Sequence, residues 1–404
     1  MYLKIRLLVI ILAFPFKSLL SQKIEIGILS EKQPKKFLIE ATSGKYKIKS
    51  GNKTIYRLKK ERSVIVNIYK SNINLSNARR DFGLFNEISV YSKNYSYEIS
   101  HFKENSRKNC ELNLQLIEPK SDSRKYAGNI NIKILENGLR IINQVGFQDY
   151  IAGVVEAESG TNAEPEYYKN QAVICRTYAL KNIDKHKNEQ FNLCDGVHCQ
   201  AYKGKSTGNK SIQKSVDQTD NLVIVDKKGE LISALFSANC GGQTCNSEDV
   251  WTSKVDYLRS VKDDYCIDQR QATWKKTIAR NDFVSFLKSK NLNVPDTISI
   301  DSLAFDQSLR KVNYVINNQE IRLTSIRSGF NLRSAFFNII PNGDSLYFKG
   351  RGYGHGVGMC QEGAMNMAKS GFKFDQIIKF YYTGVDIIPL KKAGIKFPLE
   401  SGKK

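Results

Sequence analysis

The chain predicts an α+β protein of two lobes, a β-rich N-terminal lobe over residues 22–146 and a mixed α/β core over residues 147–390. Three observations predict it. Between Lys23 and Gly146, short runs with apolar residues at every second position recur, among them Ser63-Val-Ile-Val-Asn-Ile-Tyr69 and Asn129-Ile-Asn-Ile-Lys-Ile-Leu135. That period belongs to half-buried strands. From Phe147 onward the pattern turns helical. The composition, 41% hydrophobic and 25% charged over 404 residues, is ordinary for a globular chain and sufficient for a large core.

The elements follow in order. Residues 1–21 read as an export signal. Lys4 and Arg6 give the positive start, an apolar run covers 7–16, and the small residues Ser18 and Ser21 allow cleavage after Ser21. The run is shorter than the roughly 20 apolar residues of a membrane span. The mature chain is therefore expected outside the cytoplasm, periplasmic or secreted, with no stable membrane span. Turn clusters such as Ser50-Gly-Asn52 and Glu136-Asn-Gly138 separate the strands of the first lobe. Residues 164–187 predict a helix whose apolar face carries Tyr168, Ala172, Cys175 and Ala179. Pro165 suits its first turn, and Glu164 and Glu166 suit its positive end. A polar loop is expected over 188–208, a short helix from Ser211, and strands over 221–226 and 231–237. Residues 272–292 read as partly helical, 298–348 as short strands, and 361–369 and 374–382 as terminal helices. The basic tail, 391–404, is expected to be flexible.

The net charge is +22. In a cytoplasmic chain this would suggest nucleic acid, but export argues against that partner. Outside the cytoplasm a basic surface concentrates a protein on cell-wall glycans, surface polysaccharides and lipid head groups. A merely solvated lysine-rich surface explains the same charge.

The eight cysteines are Cys110, Cys175, Cys194, Cys199, Cys240, Cys245, Cys266 and Cys360. An even number in an exported chain fits disulfides. The close pair Cys194/Cys199 also suits a metal. With His198 beside it and His186 upstream, it offers two thiolates and two imidazoles, good donors for one zinc ion. A Cys194–Cys199 disulfide, or pairing of these thiols with Cys240 and Cys245, competes with the metal.

The segment Tyr150-Ile-Ala-Gly-Val-Val-Glu-Ala-Glu158 sets two carboxylates in an apolar run. Desolvation favours the acid form of such a carboxyl, which is how a general acid keeps its proton near neutral pH. On a helix Glu156 and Glu158 would point about 200° apart, so only one could face a cleft. Solvated charges at a helix boundary are the plain alternative.

Four segments, in order and relative spacing, resemble the SpoIID/LytB family, the stage II sporulation protein D and amidase-enhancer group. They are Tyr150–Glu158, Lys169-Asn-Gln-Ala-Val-Ile-Cys-Arg-Thr-Tyr-Ala-Leu180, Phe236-Ser-Ala-Asn-Cys-Gly-Gly-Gln-Thr244 with Asn246-Ser-Glu-Asp-Val-Trp251, and Gly350-Arg-Gly-Tyr-Gly-His-Gly-Val-Gly-Met-Cys-Gln-Glu-Gly-Ala364. The resemblance covers residues 120–385 and implies a SpoIID-like catalytic core with a central cleft. Active members are lytic transglycosylases of peptidoglycan, cutting between N-acetylmuramic acid and N-acetylglucosamine on strands stripped of peptide. Their catalytic glutamate closes the Gly-Val-Val-x-x-Glu pattern, here Glu158, followed by Ser159-Gly160 where the family often has Met-Pro. Within these segments Gln171, Arg176, His355 and Gln361 are candidate substrate contacts by residue type, with Glu156 as rival or assistant to Glu158. Arg176 could instead be a salt bridge that fixes its helix, and the glycine-rich segment around His355 a structural turn. Some members bind zinc near the cleft through a similar Cys, His-Cys and upstream His set. Cys240 and Cys245 depart from the family pattern and most simply form a local disulfide. A non-catalytic glycan binder that stimulates a cell-wall amidase is the alternative function. A zinc hydrolase is disfavoured, because no His-Glu-x-x-His helix is present.

Overall fold

The computed structural model describes residues 23–92, 95, 110–136 and 138–394. The expected export signal and residues 395–404 of the tail lie outside the described residues.

Alternation builds two sheets from residues 23–146. Their strands are β1 (Lys23–Ile28), β2 (Lys36–Ser43), β3 (Tyr46–Ser50), β4 (Lys53–Leu58), β5 (Ser63–Tyr69), β6 (Asn72–Asn77), β7 (Arg80–Phe85), β8 (Glu87–Tyr91), β9 (Glu111–Glu118), β10 (Arg124–Ala127), β11 (Asn129–Leu135) and β12 (Gly138–Gly146). One sheet has the order β10-β9-β2-β5-β6-β7. The other runs β1-β12-β11-β8-β3-β4 and is extended at β1 by a two-residue strand, β13 (Leu193–Cys194), lying parallel to it. Alternate residues face inward: Phe37, Ile39 and Ala41 on β2, Leu112, Leu114 and Leu116 on β9, and Ile130 and Ile132 on β11 are all buried. Each such Phe, Ile or Leu side chain contributes roughly 1.5–3 kcal/mol of burial.

Two helices follow without a break in the core. Helix α1 (Phe147–Ser159) buries Phe147, Tyr150, Ile151, Val154 and Val155, and its last turn reaches the half-buried boundary. Helix α2 (Pro165–Lys181) packs on α1 and on α3 (Lys210–Gln218). It ends at Lys181, before the expected 187, and is buried on nearly every side rather than along one stripe. Its polar residues are held internally: Thr177 Oγ1 donates to the Val173 carbonyl (2.7 Å) and accepts from Ile224 N–H (3.0 Å). One cluster of buried side chains joins both sheets to α1, α2 and the C-terminal helices Gln361–Lys369 and Phe374–Tyr381, crossing residue 146 without interruption.

A second cluster is built only from residues 274–348. Here the expected partly helical stretch 272–292 divides into a strand, Thr273–Ala279, and a helix, Arg280–Ser289. The strand pairs with Ser345–Arg351, which pairs with Phe337–Asn342. The region expected as short strands also holds a helix, Leu323–Gly329. The pairing of Thr273 with Arg351 closes this unit where the chain leaves and returns.

The expected strand over 231–237 shrinks to Phe236–Ser237, parallel to Met359–Cys360, with a single bridge at Leu231. The Leu235 carbonyl instead accepts from Met359 N–H (3.1 Å) and the Tyr382 hydroxyl (2.7 Å). The strand expected over 221–226 forms as Leu222–Val225 and pairs with Asp386–Pro389.

Candidate active site

Glu158 sits in the last turn of α1. The apolar run before it locks the helix into the core and carries this carboxyl only to the half-buried boundary. Its Oε1 accepts a hydrogen bond from the backbone N–H of Ala201 (2.8 Å). Burial pushes its pKa above the ordinary carboxylate range, against the pull of the Ala201 N–H and the nearby Lys203 charge. The C-terminal end of a helix, where carbonyls point outward, also disfavours a negative charge. Cys175, on the facing side of α2, has its thiol pushed up by burial and then by the charge of Glu158.

Gly153 explains how Ala201 reaches the carboxyl. A Cβ at this position would meet the Gly204 carbonyl and lie 2.7 Å from the Tyr202 ring. A bare helix surface lets the Ala201–Gly204 segment run against α1, one turn before Glu158.

Glu156 points the other way, as helix geometry requires. Its Oε2 accepts from Ser206 Oγ (2.6 Å), Thr207 N–H (3.1 Å) and Gly208 N–H (3.0 Å). The expected substrate contact is thus a loop anchor, because three donors already converge on one oxygen.

Arg176 and Gln171 are turned inward. Arg176 is 1% exposed and donates to the Leu222 carbonyl (3.1 Å), Gln148 Oε1 (3.1 Å) and the Val216 carbonyl (3.3 Å). Gln171 is fully buried, accepting from the Tyr167 hydroxyl (3.2 Å) and donating to Cys175 Sγ (3.4 Å). Neither side chain is presented to a ligand, since both lie on the buried face of α2. Gln361 does come to Glu158, but its Nε2 donates to the Glu158 backbone carbonyl (3.3 Å), capping α1.

His355 is half-buried. Its Nδ1 accepts from Val357 N–H (3.0 Å), and its ring lies 5.2 Å from that of Trp251. Burial and then the Arg327 and Arg310 charges hold its pKa down at about 4, so it is neutral at pH 7. The glycines around it are filled by the protein itself. At Gly352 (φ 76°) a Cβ would lie 2.6 Å from the Asn239 carbonyl oxygen, and at Gly354 it would lie 2.7 Å from the Ser237 Cβ. Close backbone packing therefore requires these glycines. The aromatic faces beside His355 remain open, Trp251 at 42% and Tyr353 at 44% exposure.

The structure brings His186, Cys194, His198 and Cys199 together, their ligand atoms all within 4.8 Å of one another. Cys199 Sγ lies 3.4 Å from His186 Nε2 and 4.0 Å from His198 Nδ1, and Cys194 Sγ lies 3.8 Å from His198 Nδ1. β13 fixes Cys194 against β1, and Glu189 Oε1 lies 2.5 Å from His186 Nδ1. A carboxylate on the outer nitrogen is the arrangement that orients a metal-binding imidazole. Cys199 is two residues before Ala201, so this cluster and the grip on Glu158 belong to one loop. The expected Cys240–Cys245 disulfide does not form. Gly241 and Gly242, both at positive φ, turn the chain between them, so that Cys240 Sγ lies 3.5 Å from Cys266 Sγ and Cys245 Sγ 3.6 Å from the His355 carbonyl.

Sequence reasoning missed Ala201, Gly153 and the open face of Trp251. Ala201 acts through its backbone and leaves no side-chain signal. Gly153 and Trp251 stood within segments already singled out.

Residues 135–225, which hold α1, α2 and the Cys/His loop, match the sequence profile of the family described as Stage II sporulation protein. Similar proteins include an uncharacterized protein of Brachyspira hyodysenteriae, 32% identical over 277 residues, covering 68% of this chain and 75% of its own. Stage II sporulation protein D of Bacillus subtilis is 29% identical over 277 residues, covering 65% and 80%. The Amidase enhancer of Bacillus subtilis is 25% identical over 292 residues, covering 59% and 40%.

Proposed function

The chain belongs to the SpoIID/LytB family, and from that premise we propose that it is a lytic transglycosylase of peptidoglycan glycan strands stripped of peptide. Glu158 carries the reading: its burial favours the acid form, Ala201 N–H holds Oε1, and Oε2 accepts no hydrogen bond among the described residues. Oε2 is therefore the oxygen to carry the proton.

The reaction needs one carboxyl group. Glu158 gives its proton to the oxygen that links muramic acid to glucosamine, and the bond from that oxygen to the anomeric carbon breaks. The anomeric centre develops oxocarbenium character. The sugar's own 6-hydroxyl then attacks it and returns a proton to the Glu158 carboxylate, closing a 1,6-anhydro ring. Water does not attack, so the second carboxylate of ordinary glycosidases is not required. The engagement of Glu156 with the Ser206–Gly208 loop agrees with this economy. The open faces of Trp251 and Tyr353, with Arg333 5.6 Å from the Tyr353 ring, offer a platform for sugar rings.

His186, Cys194, His198 and Cys199 fit one zinc ion by donor type, mutual distance and the supporting Glu189. Bound there, zinc would supply structural cross-linking. Cys199 would hold the loop, and Ala201, two residues on, would hold the Glu158 carboxyl. The protein would work outside the cytoplasm, and no described helix is long and apolar enough to cross a membrane.

The similarity to an amidase enhancer supports a second reading, a non-catalytic glycan binder that stimulates a cell-wall amidase. Mass spectrometry of peptide-free and intact peptidoglycan, incubated with the protein or with Glu158→Gln, separates the two. New 1,6-anhydro ends from the protein and none from the variant support the transglycosylase. Bound glycan with no anhydro ends from either would leave the enhancer.

A further inference from the structure

A second group of ligand-bearing side chains lies apart from the first. Cys240, Asp263, Cys266 and Cys360 are all buried, and one donor atom from each lies within 4.8 Å of the others. Cys240 Sγ is 3.2 Å from Asp263 Oδ2 and 3.5 Å from Cys266 Sγ. Backbone N–H groups are aimed at the sulfurs: those of Cys240 and Gly363 at Cys360 Sγ (3.2 and 3.4 Å), and that of Gly242 at Cys266 Sγ (3.2 Å). Asp263 is oriented from behind, Oδ1 accepting from Tyr265 N–H (3.0 Å) and Oδ2 from the Tyr381 hydroxyl (3.0 Å).

Donors that converge on thiols stabilise thiolates, and an outer hydroxyl on a carboxylate is how a metal-binding oxygen is held. A buried carboxylate that accepts from a thiol, a hydroxyl and a backbone N–H is held ready to take a cation in the thiol proton's place. None of the described side chains supplies that cation: Arg310 approaches from the side but donates to the Cys240 carbonyl oxygen (2.6 Å). We propose that Cys240, Asp263, Cys266 and Cys360 form a structural metal site for one zinc ion, bound by three thiolates and one carboxylate oxygen. Thiolates with a single hard oxygen, in a closed four-donor set, suit this borderline-soft, tetrahedral ion. Binding would send the thiol protons to solvent.

The position gives the site a task. Cys266 precedes the strand Thr273–Ala279, and Cys360 follows the strand Ser345–Arg351. The metal would clamp the neck of the unit with its own core, residues 274–348, to the Asn239–Gly242 turn of the main body. It would also fix the start of the helix Gln361–Lys369, whose first residue caps α1 at Glu158.

The test is metal content and zinc X-ray absorption on the full chain. Two zinc ions per chain are expected, sharing the five sulfurs of Cys194, Cys199, Cys240, Cys266 and Cys360 at about 2.3 Å. The variant Cys194→Ser/Cys199→Ser should keep one ion in a shell of three sulfurs and one oxygen. Cys266→Ser should keep one ion with two sulfurs and two nitrogens. Should either variant misfold, the sulfur count of the unsubstituted chain still decides. At most one zinc per chain, lost entirely in Cys194→Ser/Cys199→Ser, would overturn the proposal. So would a disulfide joining any two of Cys240, Cys266 and Cys360 in peptide maps of the purified protein.

Discussion

Replacing Arg176 by methionine keeps much of the side chain's volume and removes its charge and all its donors. The guanidinium holds the Leu222 and Val216 carbonyls and Gln148 Oε1, tying α2 to α1, α3 and the strand after it. Three acceptors, two of them buried and one part-buried, lose a charged donor, at about 1–1.5 kcal/mol each, or about 3–4.5 kcal/mol together. Methionine also relieves the cost of burying the guanidinium, which holds the Arg176 pKa down at about 10. The lower end, about 3 kcal/mol, is therefore expected. At about 2 °C per kcal/mol for a unit of this size, Tm should fall by about 6 °C. Thermal melts give the stability, and binding of peptide-free glycan below the melting range gives the function. The structural role predicts a lower Tm with near-normal affinity in the folded fraction. An unchanged Tm with a tenfold loss of glycan affinity would refute it and restore Arg176 as a glycan contact.

The remaining expectations concern the carboxyl, its loop and the aromatic face. Glu158 has a raised folded pKa, so its acid form persists above the ordinary carboxylate range, and cleavage should fall as pH rises through that raised value. Stability follows the same sign: it is fully present below the unfolded pKa and lost as pH rises through the folded one. Glu158→Gln does not titrate, so its Tm relative to the unsubstituted protein should rise with pH across that window; a constant difference would argue against a buried carboxyl. Gly153→Ala places a methyl group against the Gly204 carbonyl and Tyr202, and should cost about 1–3 kcal/mol while lowering kcat as Ala201 is displaced. A Tm and kcat like those of the unsubstituted protein would contradict the close approach. Trp251→Ala should weaken glycan binding by about fivefold, near 1 kcal/mol, without lowering Tm, and calorimetric titration with glycan fragments would check it.

Much of the fold was legible because its signals are local. Alternation along β2, β9 and β11 reports one buried face per strand, and Pro165 with Glu164 marks the start of α2. The extent of α2 was less legible. A helix buried on nearly every side has no polar stripe to show its limits, and residues such as Arg176 and Gln171 look available until their internal partners are known. Segment 231–237 misled for the opposite reason: its apolar residues are those of a strand, but the partners of Leu235 come from Met359 and Tyr382, more than a hundred residues away. At the site, Glu158 was singled out by the family resemblance, and the Cys/His loop by residue type and spacing. The grip of Ala201 could not, because a backbone N–H carries no residue signature. The cluster of Cys240, Asp263, Cys266 and Cys360 was hidden by sequence separation, its two ends lying on either side of a unit with its own core.

The central claim is that Glu158 acts alone, with the sugar's own hydroxyl in place of water. Digestion of peptide-free glycan in water enriched in oxygen-18 tests this directly, with mass spectra taken of the new muramic ends. The account predicts unlabelled anhydro ends that accumulate with the protein and are absent with Glu158→Gln. Ends that each carry one oxygen-18 atom would show that water attacks, and would contradict it.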